Sequence, residues 1–87
     1  MPMTALCAET MRLIADGTRT VDDIVTRTRA KVGNNPARMF TLIGELASEA
    51  KRLYLDSPDA EAAADEPQRQ ANAALDVVIA LCGGRAT

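Results

Sequence analysis

The chain has 87 residues, 47% of them hydrophobic, and a formal net charge of −2. That length suits one domain spanning residues 1–87, and so short a chain buries only around two thirds of its unfolded surface. It contains no histidine, which removes the commonest general base and the commonest zinc ligand together.

The apolar content is mostly Ala, Leu, Val, Ile and Met, and Phe40 and Tyr54 are the only aromatics. This composition favours helix, and no stretch alternates apolar and polar residues as a half-buried strand requires. An all-α fold is expected, a small bundle of four principal helices. The opening residues MPMTALCAETMRLI have no basic segment ahead of an apolar run, unlike a signal peptide. The longest charge-free apolar run, residues 77–82, is far short of the ~20 residues of a membrane-spanning helix. A cytoplasmic setting with reduced thiols at Cys7 and Cys82 is the resulting expectation.

The first helix is expected over residues 4–16, with Thr4 as N-cap and Gly17 as the stop. Its stripe is loose: Met3, Leu6, Cys7, Met11, Leu13 and Ile14. The second, over 20–32, opens on Thr20-Val-Asp-Asp23, a capping box with Asp in place of Glu. Val21, Ile24, Val25, Thr28 and Val32 then share one face, and Gly33 ends the helix.

Asn35 as N-cap and Pro36 at the first helical position start the third helix, over 35–55. Met39, Ile43, Leu46, Ala50 and Leu53 recur at heptad-like spacing, and Phe40, Ala47 and Tyr54 form a second row. A helix apolar on two rows belongs at the centre of a fold. The acidic, Ala-rich connection that follows has no large apolar residue, and its composition allows a short extra helical turn within 57–66.

The last helix, over 67–82, starts with Pro67 at its first position. Ala71, Ala74, Leu75, Val78, Ile79 and Cys82 make one apolar stripe, and Val77, Ala80 and Leu81 fill the opposite side. A helix apolar all round needs cover all round. The surplus suggests a second copy or another protein as partner, with Val77, Ala80 and Leu81, joined by Met39, Ile43 and Leu46, as the interface.

Catalytic and cofactor motifs are missing. Cys7 and Cys82 form no CxxC, and the adjacent acids Asp22/Asp23 and Asp65/Glu66 point about 100° apart on a helix rather than converging. GxSxG, P-loop and GxGxxG patterns do not occur. No enzyme, no metal, no cofactor and no small-molecule substrate are expected.

Charge is unevenly spread. Residues 19–38 carry Arg19, Arg27, Arg29, Lys31 and Arg38 against Asp22 and Asp23, net +3, and the rest of the chain is acidic. The phrases LIADGTRTVDDIV and LIGELASEAKRLYLD, within residues 11–56, resemble the helix-turn-helix region of bacterial winged-helix regulators. That resemblance implies DNA binding, with Asn34, Asn35, Arg38 and Thr41 facing the major groove. Arg19, Arg27, Arg29 and Lys31 would then meet phosphates. The connection GNNPA is longer than the tight turn of such motifs, and no hairpin follows Leu55 to serve as a wing. The leading expectation is therefore a non-enzymatic, self-associating helical protein, regulatory or adaptor-like, that works through protein–protein contacts. DNA binding is the alternative.

Overall fold

The computed structural model describes residues 4–56 and 66–83. Within them the chain forms four helices: α1 (Ala5–Asp16), α2 (Val21–Val32), α3 (Pro36–Asp56) and α4 (Glu66–Leu81). The fold is an all-α four-helix bundle, as the sequence pattern indicates. Met3 lies outside the described residues, as do residues 57–65 of the 57–66 stretch in which an extra turn is expected.

The helix starts follow the capping chemistry. The hydroxyl of Thr4 accepts the Cys7 amide, that of Thr20 accepts the Asp23 amide, and the Asn35 side-chain carbonyl accepts the Arg38 amide. Each satisfies an N–H that the first helical turn leaves without a partner. At the other end of α1, Gly17 takes φ 75°, a left-handed conformation that costs a residue with a Cβ.

The core runs between α3 and α4, which pack on each other along most of their length. Leu42, Leu46 and Ala50 from α3 meet Ala74, Val77 and Leu81 from α4. Helices α1 and α2 close it with Cys7, Ile14, Ile24, Val25 and Val32. Thr10, missing from the apolar stripe read in α1, is fully buried against Thr28 of α2 with 3.5 Å between their hydroxyl oxygens. Thr10 also donates to the Leu6 carbonyl at 2.9 Å, which lets a hydroxyl sit in the core.

Helix α4 is turned about its axis relative to the sequence-based reading. Ala71, Ala74, Val77 and Leu81 point inward, whereas Ile79 and Cys82 are exposed and Leu75 and Val78 lie at the margin. The polar residues decide this. Asn72 and Asp76, one turn apart, need water, and the face opposite them is Ala74, Val77 and Leu81.

Candidate functional site: the outward face of α3 and α4

That rotation corrects the expected interface. Val77 and Leu46 are 0% exposed and Leu81 is 5% exposed, so this chain's own core encloses all three. Met39, Ile43 and Ala80 are partly buried against the same core. The surplus that the sequence suggested on α4 is absorbed internally, because α4 is gripped by α1, α2 and α3.

The apolar surface that remains lies elsewhere. Phe40 is 80% exposed, Leu55 76% and Ile79 50%. On α3, Phe40, Ala47 and Tyr54 follow at intervals of seven residues, two helical turns, and so share one side. The hydroxyl of Tyr54 donates to the Asn72 side-chain carbonyl at 2.5 Å, bonding the end of α3 to the first half of α4. Counting one heptad from each partner, in opposite chain directions, brings Ala47 level with Ile79 on the outward side of this antiparallel pair. The second row of α3, read from the sequence as interior, is thus the outer margin of the bundle.

Gly44 lies on the same exposed side, one turn after Phe40. Its φ is not positive, and a Cβ placed on it would meet nothing within 4 Å. Neither backbone conformation nor internal packing calls for a glycine here.

The basic stretch is engaged within the chain. Arg19 and Arg27 both bond one carboxylate oxygen of Asp23, at 2.9 and 3.2 Å, and with Arg19 first they hold that carboxyl below its ordinary range. Lys31 pairs with Glu9 of α1. Arg29 donates to the Ala80 carbonyl at the end of α4, at 2.6 Å. Asn35 caps α3. Arg38 and Thr41 line a hollow of about 290 Å³ with Thr4, Leu6, Ala37, Leu42 and Glu45, and there Glu45 already accepts the Thr4 hydroxyl at 2.8 Å. The candidate DNA contacts are therefore scattered over capping, ion-pair and hollow-lining roles. Helices α2 and α3 also pack on the rest of the bundle more than on each other, whereas a helix-turn-helix packs its two helices together.

Both thiols are free. Cys7 is sealed in the core and Cys82 is exposed just past α4. Burial pushes the Cys7 thiol up to about 11, helped by the carboxylates of Glu45 and Glu49. Among the described residues no three metal-ligating side chains converge. Compared with known proteins, the chain matches no protein-family model, no curated protein and no solved structure.

Proposed function

We propose that this protein is a non-catalytic docking domain that binds another protein surface through the outward face of α3, extended by Ile79 of α4. Phe40 carries the reading. An aromatic side chain 80% in water contributes nothing to this core. Covering such a side chain is worth roughly 1.5–3 kcal/mol, and aromatic residues are the usual anchors of protein interfaces. Gly44, Ala47 and Ser48 surround it with small side chains, which suits the close approach of a partner helix. A regulatory or adaptor-like role fits a surface that offers contact without reacting groups. The cytoplasm is the setting we assign, because two free thiols persist best in a reducing compartment. Among the described residues no helix is long and apolar enough to cross a membrane.

The test is a photo-reactive phenylalanine analogue at position 40, compared in living cells with the same analogue at exposed Asp22 on α2. Protein adducts should form at position 40 and not at 22. If irradiation yields no protein adduct at position 40, the docking role is wrong.

A further inference from the structure

We infer that the occupant of this face is a second copy of the chain, with α3 packed antiparallel on α3 about a two-fold axis level with Leu42. The inference rests on the docking reading above and adds the partner and the register.

Gly44 is the starting observation. A glycine inside an exposed helix costs about 1 kcal/mol relative to alanine. At Gly44 the isolated chain gains nothing in return, since the backbone is helical and the space beyond it is empty. A helix arriving from outside would use that space, because the missing Cβ lets two backbones approach closely.

The face supplies its own counterpart. Phe40 is a projection and Gly44 a hollow, one turn apart on one side of α3. Facing identical surfaces related by a two-fold axis satisfy each other reciprocally. An axis level with Leu42 sets each Phe40 over the partner's Gly44 and each Ala37 over the partner's Ala47. Ser48 then meets the partner's Pro36. Every contact but the phenylalanine is small, so the large ring is the only group that needs a recess.

Charge agrees. Along this stretch Arg38 and Glu45 turn away to line the hollow against α1, leaving the footprint from Ala37 to Ser48 uncharged. The nearest charge on the face is Lys51, and in this register the two lysines lie about 27 Å apart along the helices, well beyond the screening length. Within that footprint, bringing two copies together therefore opposes no like charges.

Sedimentation equilibrium of the full chain, from micromolar to about 0.2 mM, should show the mass rising from 9.3 kDa toward twice that value. Phe40→Asp and Gly44→Leu should each give a monomer with unchanged circular dichroism, because neither position touches the core. A complementary pair tests the register: Phe40→Asp and Gly44→Lys, each monomeric alone, should form a heterodimer when mixed. In it one aspartate faces one lysine while the other Phe40–Gly44 contact is native, and association should be at least about tenfold tighter than either variant with itself. A wild-type chain that stays at 9.3 kDa throughout overturns the proposal. So does a dimer indifferent to Phe40→Asp and Gly44→Leu, and a mixture that fails to associate overturns the register. A monomeric wild type with cellular adducts of foreign mass at position 40 defeats this inference alone, leaving the docking role in place.

Discussion

The guanidinium of Arg29, on α2, donates to the carbonyl of Ala80, 51 residues away at the end of α4, at 2.6 Å. That carbonyl also accepts the Gly83 amide at 3.0 Å, and because the C-terminal end of a helix carries partial negative charge, a cation is favoured there as a second donor. Arg29→Ala should lower the unfolding free energy by about 1 kcal/mol, the range of a charged but solvent-exposed hydrogen bond. A urea midpoint that does not move would show that the bond contributes nothing in water.

Thr10 and Thr28 form the one polar contact buried between α1 and α2 among the described residues. Thr10→Val removes the hydroxyl facing Thr28 and should cost about 1–2 kcal/mol by leaving a buried polar group unpartnered. Changing both to valine should cost less than Thr10→Val alone, since two apolar groups then pack without an orphan. Equilibrium denaturation of the two single variants and the double gives the coupling directly. Strict additivity would mean the hydroxyls do not interact.

Two glycines should respond to alanine with opposite signs. At Gly17 the left-handed φ of 75° penalises a Cβ, so Gly17→Ala should destabilise by about 1–2 kcal/mol. The nearest atoms to that Cβ, on Arg69, are 3.7 Å away, so crowding adds little. Gly44 is helical and open, so Gly44→Ala should stabilise the dilute chain by up to about 1 kcal/mol. Thermal melts at low protein concentration compare the pair, and a destabilising Gly44→Ala would reveal a packing demand inside the monomer.

Stability should fall at both ends of the pH scale for identifiable reasons. Cys7 is pushed from 9.0 to about 11 in the folded chain, so between those values only the unfolded chain gives up the proton. Its contribution is intact below pH 9 and declines as pH rises toward 11. Glu66 goes the other way: hydrogen bonds from Arg69 and then Gln70 hold it down at about 2. What it adds is present above pH 4.5 and is lost as pH falls toward 2. Denaturant midpoints against pH should flatten in the alkaline limb for Cys7→Ala and in the acid limb for Glu66→Gln. Thiol titration of the native protein should find one reactive group, Cys82, and a second only after unfolding.

Local signals carried the helix boundaries. The caps at Thr4, Thr20 and Asn35 act within three residues, so their chemistry is written in adjacent letters. The single face of α2 emerged for the same reason, with Ile24, Val25, Thr28 and Val32 all buried. The rotation of α4 also has a local signal, the polar pair Asn72 and Asp76 on one side of the helix, which outweighs the count of apolar residues. What no periodicity reveals is which distant groups meet. Arg29 and Lys31 read as phosphate contacts because the Ala80 carbonyl and the Glu9 carboxylate that occupy them lie on other helices. The exposed row of α3 has the same cause: Phe40 and Ala47 look interior by their spacing, because it is α4, distant in the chain, that covers the neighbouring row.

Helix α4 is also held at its opposite end. From its first turn Arg69 reaches the Ile14 and Ala15 carbonyls at 3.2 and 3.4 Å, 55 and 54 residues back in the chain. The helix is therefore fastened at both extremities to segments remote in sequence, and the loops that these ties close are long, which slows the search for them. Before they form, Leu42, Leu46 and Ala50 have no lid, so a three-helix remnant has little to keep it assembled. Loss of structure should then be all-or-none, and backbone amides in α1 and α3 should exchange with solvent at one common rate set by the departure of α4.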